Sequence, residues 1–158
     1  MNPLLALAFS ASLLVGLFMF LSVGVPALGL VAWISLISAG AYFTAGGGVS
    51  GLLKPMAAGT LGIALTVAAL WSVGVMGGGA TALVLIVALL AFSIVLASGI
   101  PWFSYVPASF MAASAYVGAG GKPEVAGYVV LSWAAGLLLA WGIDNLSKTL
   151  APAAASDS

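Results

Sequence analysis

The chain contains no cysteine and no histidine, and among its 158 residues only three are basic and three acidic. Without cysteine there is no disulfide, no thiolate nucleophile and no cysteine metal site. Without histidine the commonest proton shuttle, general base and transition-metal ligand is gone. A net charge of zero with no basic cluster leaves nothing to neutralise phosphates, so no nucleic-acid partner is expected. Charged residues make up 4 % of the chain and hydrophobic ones 64 %, whereas soluble domains carry about 25 % charge. The mean hydropathy is +1.31. With so little polar surface the chain reads as an integral membrane protein, and the lipid bilayer is its first expected partner.

The same inventory weighs against catalysis. Paired carboxylates, a histidine-containing triad, a phosphate-binding glycine loop with its lysine, and a metal-ligand cluster are all missing. The glycine runs Gly46–Gly48 and Gly77–Gly79 lack the strand and helix that would flank a phosphate loop, and read as turns. No enzyme activity, cofactor or bound metal is expected.

What the chain does have is a pattern written twice, about 75 residues apart. Residues 34–48 and 108–122 are identical at seven of fifteen positions: Ser35/Ser109, Ala39/Ala113, Ala41/Ala115, Tyr42/Tyr116, Ala45/Ala119, Gly46/Gly120 and Gly47/Gly121. Composition alone would give roughly one match in ten, so the excess marks an internal duplication. Leu21–Pro26 and Leu96–Pro101 match one residue out of that register, and Gly59 pairs loosely with Gly136.

Apolar runs with short breaks predict six spans: Leu4 to Val23, Ala27 to Ala45, Met56 to Val75, Ala80 to Ser98, one beginning just after Pro101, and Val125 to Leu146. The first is about 20 residues, enough for roughly 30 Å of hydrocarbon. A cleaved secretory signal is its rival, but the leader Met1-Asn2-Pro3 has no Lys or Arg and the run is long for a signal. Gly46–Gly48 ends the second span, and a loop holding Lys54 leads to Pro55. Pro107 falls about one and a half turns inside the fifth span, where its missing N–H would free the Phe103 carbonyl and kink the helix. Residues 151–158 read as a disordered tail. The expected fold is therefore all-α: six transmembrane helices in one domain, residues 1–150, with repeats of about 1–75 and 76–150. Three spans per copy make the repeat inverted, 3+3, about an axis in the membrane plane. Lys54 and Lys148 share the side of both termini against Lys122 on the other, which places both termini in the cytoplasm.

Ser35, Ser38, Tyr42 and Gly46 lie three to four residues apart on one helix face, and Ser109, Tyr116 and Gly120 repeat the stripe. Counting from Pro26 and Pro101 puts Ser35 and Ser109 about 12–14 Å into the membrane, close to its midplane. The inverted axis would bring them together, with Tyr42 and Tyr116 on either side and Gly46, Gly47, Gly120 and Gly121 at the two mouths. Such hydroxyls suit a small polar solute that is shedding water. With Phe103 and Pro107 at the kink, these residues form the expected solute pathway. Each also has a plainer reading. Ser and Gly in membrane helices commonly serve close packing or bond back to the preceding turn, which is the preferred account of Ser38 and Ser114. Tyr42 and Tyr116 read equally well as interfacial belt residues, the reading given to Tyr105 and Tyr128. Asp144 and Lys148 are spaced for an i,i+4 ion pair, and Lys122 and Glu124 for a solvated loop. No carboxylate falls at mid-membrane, which disfavours obligate ion coupling.

Ser104-Tyr105-Val106-Pro107-Ala108-Ser109-Phe110, followed by an Ala-rich stretch, Gly120, Gly136 and Asn145, resembles a family of small bacterial inner-membrane proteins typified by YcdZ, which has no assigned activity. The resemblance covers the whole chain in length and span pattern. It implies a bacterial cytoplasmic-membrane location and a special place for the fifth helix. The reading as a whole is a channel or facilitator for a small neutral or anionic solute, acting as a homo-oligomer with the first or fourth helix at the contact. The alternatives are an ion-coupled transporter and a non-transporting membrane scaffold.

Overall fold

Glycine and proline set the helix boundaries. The structure, a computed structural model, describes residues 1–151. Six α-helices and no strand form among the described residues: α1 (Pro3–Gly24), α2 (Ala32–Thr44), α3 (Gly48–Val75), α4 (Ala80–Ala97), α5 (Val106–Gly118) and α6 (Ala126–Leu150). Asn2 opens α1, its side-chain oxygen accepting the Leu4 N–H at 2.9 Å, one of the four donors that a helix start leaves unpaired. Single 3₁₀ turns at Pro26–Leu28, Pro101–Phe103 and Pro123–Val125 precede α2, α5 and α6.

The two copies of the glycine pair end their helices with the same bonds. Gly46 and Gly47 have φ of 92° and 69°, Gly120 and Gly121 of 106° and 61°. Gly47 N–H donates to the Tyr42 carbonyl and Gly121 N–H to that of Tyr116, each at 3.1 Å. Consecutive left-handed residues close a helix and turn the chain at once, and only glycine takes them without strain. α3 consequently begins at Gly48, eight residues before the expected Met56, with Lys54 and Pro55 inside it and no separate loop.

Helices α1, α3, α4 and the segment Pro123–Leu150 are long and apolar enough to cross a membrane. The second and fifth are not. Each has 13 residues, about 20 Å of helix against roughly 30 Å of hydrocarbon. The second span starts at Ala32 instead of Ala27, because the 3₁₀ turn ends on left-handed Gly29, φ 63°. Pro107 does not kink α5. It is the second residue of that helix, where no N–H is needed, so it starts the helix instead of breaking it. The expected tail lies, beyond Ala151, outside the described residues.

The short helices lie against the long helix of the other half. α2 runs along α6 and α5 along α3, α3 and α6 meet each other, and α1 and α4 lie outside on α6 and α3 respectively. The core is built from Tyr42, Tyr116, Trp133, Ile34, Ile63 and Leu137 set among alanines. Lipid tails are as apolar as leucine, so close packing of small residues holds such helices together. Following the chain through its six helices, α1 begins and α6 ends at one end of the bundle. There Pro3, Asp144 and Ala151 line one cavity. This end is the near mouth, the other the far mouth.

Candidate functional site

At mid-span the two halves hold each other through one repeated contact. A Cβ on Gly136, in the middle of the Pro123–Leu150 segment, would overlap the Ser35 carbonyl, and one on Gly62, in the middle of α3, would overlap the Ser109 carbonyl. The hydroxyls complete the contact. Ser35 Oγ donates to the Ser132 carbonyl and Ser109 Oγ to the Ala58 carbonyl, both at 2.8 Å. Each acceptor lies four residues before the glycine in question. Seventy-four residues separate Ser35 from Ser109, Ala58 from Ser132, and Gly62 from Gly136. The counterpart of Gly136 is therefore Gly62, not Gly59. Gly59 instead makes room for the buried Trp133, whose ring a Cβ there would strike, and the indole N–H donates to the Pro55 carbonyl at 3.0 Å. The two serines are buried, and their hydroxyls go to carbonyls on different helices, not to each other. Ser38 donates back to the Ser35 carbonyl at 3.0 Å.

Because Ser35 and Ser109 stand in the first turns of α2 and α5, both short helices begin near mid-span and run toward opposite mouths. The chain reaches α2 from the far mouth through a 3₁₀ turn and three non-helical residues, two of whose polar groups bond to other helices. Ser22 Oγ donates to the Leu30 carbonyl at 3.0 Å. Ser132 Oγ accepts the Val31 N–H at 2.8 Å and passes its own proton to the Tyr128 carbonyl at 2.7 Å. This segment lines a far-mouth cavity of about 590 Å³ with Ser22, Trp33, Gly118 and Tyr128 among its walls. In the corresponding segment before α5, the turn Pro101–Phe103 rests on α3 with Trp102 exposed, and the Tyr105 hydroxyl donates to Thr44 Oγ1 at 2.8 Å. Phe103 is half-buried in that turn and Pro107 is exposed.

The two tyrosines, both buried, stand in unlike surroundings. Tyr42, fully buried, donates to Asp144 Oδ2 at 2.7 Å and accepts the Gly48 N–H at 2.8 Å. The same carboxylate oxygen takes the Lys148 ammonium at 2.7 Å, and the Gly48 N–H lies 3.3 Å from it. Gly47 packs beside Tyr42 and Asp144, and Gly46 is exposed. The near mouth is thus tied by α2, the turn after it and α6 through one carboxylate. Its cavity is smaller, about 280 Å³. At the far mouth Tyr116 is as deeply buried but makes no such bond among the described residues. Seventy-four residues before Asp144 stands Leu70, against which Gly121 packs, and Gly120 is exposed beside it. The i,i+4 pair was readable from spacing. Its tie to Tyr42, 102 residues away, was not, although projecting the repeat onto Asp144 singles that residue out.

A family model described as "Protein of unknown function (DUF1097)" matches residues 8–154. That is a family without an assigned activity, as the resemblance at Ser104–Phe110 implies, though the match does not carry the name YcdZ. Neither a curated protein nor a solved structure matches the chain.

Proposed function

We propose, for a chain that belongs to the DUF1097 family, a facilitator that lets a small polar solute cross the bacterial cytoplasmic membrane. Its six membrane segments form a 3+3 inverted repeat in which α2 and α5 start near the bilayer centre and leave by opposite faces. One observation carries this reading: a 3₁₀ turn, Pro26–Leu28, and the non-helical residues Gly29–Val31 lead to the start of α2 and line a cavity of about 590 Å³, with Ser22 serving the Leu30 carbonyl and Ser132 the Val31 N–H. Irregular backbone at membrane depth is tolerated only when buried in protein or facing a water-filled space. In transporters of unrelated fold, helices that start at the midplane aim the positive ends of their dipoles at the solute.

In this reading the far mouth receives the solute, and the near mouth is the gate, held shut by Tyr42, Asp144 and Lys148. The pathway runs past Ser35 and Ser109, between Tyr42 and Tyr116. Lys54 and Lys148 belong to the near mouth and Lys122 to the far one, so the near mouth with both termini faces the cytoplasm. The outer apolar faces of α1 and α4 form the contact of a homo-oligomer.

Reconstituted protein gives the test. Vesicles containing it should swell or shrink faster than empty vesicles in gradients of urea, glycerol, formate or acetate, and Ala27→Phe, which fills the far cavity from an exposed position, should slow the response. If none of these solutes moves faster than through lipid alone, the facilitator reading is lost.

A further inference from the structure

The two tyrosine sites differ in one respect that points to a ligand. In the near mouth the group on the tyrosine hydroxyl is a carboxylate that belongs to the protein, Asp144. In the far mouth the position 74 residues earlier is Leu70, which cannot accept a hydrogen bond. Tyr116 is 1 % exposed, and a buried hydroxyl without a partner costs free energy. Yet the sealed, unpartnered side-chain oxygen among the described residues is that of Ser10. The Tyr116 oxygen is therefore reached from an open space. That space is a cavity of about 380 Å³ lined by Tyr116, Leu70, Val67, Trp71, Gly121 and Pro123. Its walls are mostly apolar, and the phenol, the Trp71 indole N–H and backbone groups are their polar parts. Lys122 stands between two of the lining residues, is exposed, and makes no ion pair among the described residues. Glu124 is exposed and outside the lining.

We propose that this cavity binds a short-chain monocarboxylate, whose carboxylate takes the Tyr116 hydroxyl as Asp144 takes that of Tyr42, and whose alkyl part lies on Leu70, Val67 and Trp71. Lys122 supplies the cation at the rim, the part Lys148 plays for Asp144. A hydroxyl donor with a nearby ammonium selects the anion, and the leucine and valine wall selects a short chain over a fully polar solute. The inference rests on the proposed function only in its consequence, that the bound molecule is the transported solute. The binding stands by itself.

Purified protein in detergent is titrated with sodium butyrate and, separately, with butyramide, and binding is read from saturation transfer to the probe's own NMR signals. Wild type should bind butyrate in preference to the amide. Tyr116→Phe, which keeps the ring and its packing, should weaken butyrate binding about tenfold or more. Leu70→Asp should abolish it by installing an internal occupant, and monodispersity of both variants shows that they fold. Butyrate bound equally by wild type and Tyr116→Phe, butyramide bound as well as butyrate, or no binding at all would overturn the site. Butyrate binding in a protein that moves no solute would support the site and remove the facilitator reading. Flux of urea or glycerol in a protein that does not bind butyrate would do the reverse.

Discussion

The near and far mouths are made from the same parts and end in different states. Both carry a 13-residue helix closed by two left-handed glycines with a buried tyrosine beneath them. One substitution between equivalent positions, Asp144 for Leu70, gives the near mouth a carboxylate that gathers a phenol, a backbone N–H and an ammonium. The far mouth keeps its tyrosine facing open space. The backbone scaffold of each half is thus a fixed frame, and the chemistry at its ends is set by single side chains.

The comparison is tested most severely where the halves agree. Gly62→Ala and Gly136→Ala each push a methyl into a serine carbonyl of the opposing helix. Overpacking of this kind costs about 1–3 kcal/mol and occasionally more. The two variants should lose thermal stability in detergent by similar amounts, and a large inequality would show that the halves do not carry equal loads.

Next in size is the place where the halves differ. Asp144→Leu puts in the near mouth the residue found at the equivalent far position and leaves the Tyr42 hydroxyl and the Lys148 ammonium without their acceptor, while the Gly48 N–H keeps the Tyr42 oxygen. Hydrogen bonds to charged groups contribute about 1.5–3 kcal/mol, and a loss in that range is expected in the unfolding midpoint. In vesicles the same variant should raise solute flux, because the tie across the near mouth is gone. A stable variant with unchanged flux would show that Asp144 is structural and not a gate.

Ser35→Ala and Ser109→Ala should each cost about 0.5–1.5 kcal/mol. Their bonds reach different helices, so the double variant should show the sum. Measured flux sharpens their assignment: near wild-type rates mark them as anchors between the halves, and a fall beyond the loss of folded protein marks them as part of the pathway. The smallest effect belongs to Lys148→Met. The lysine side chain is 65 % exposed, and exposed pairs contribute about 0–1 kcal/mol, so the melting temperature should shift little and the tie through Tyr42 should hold.

Much of this frame was legible from residues that act locally. The glycine pairs at 46–47 and 120–121 and the Asp144–Lys148 spacing each fix a bond within a few residues, so sequence order is enough to place them. The starts of α2 and α5 were not legible. An apolar run from Pro26 to Ala45 looks the same whether it is helical throughout or only from Ala32, because membrane depth does not force polar residues into the irregular part when Ser22 and Ser132 supply the bonds from other helices. The partners of Ser35 and Ser109 were hidden for the same reason: their acceptors are backbone carbonyls 97 and 51 residues away, and carbonyls leave no mark in a sequence. Counting from Pro101 puts Pro107 inside the helix as a kink, whereas the turn at Pro101–Phe103 resets the count.

Trp133 and Gly59 are also 74 residues apart, and they face each other, the indole lying where a side chain on Gly59 would go. The two members of this pair can never become alike. Two copies of the first half would set glycine against glycine and leave a void where the indole was, at about 3–5 kcal/mol if the loss resembles that of a buried tryptophan. Two copies of the second half would drive one indole into the other. This contact therefore works only while the two positions differ, one with no side chain and the other with the largest.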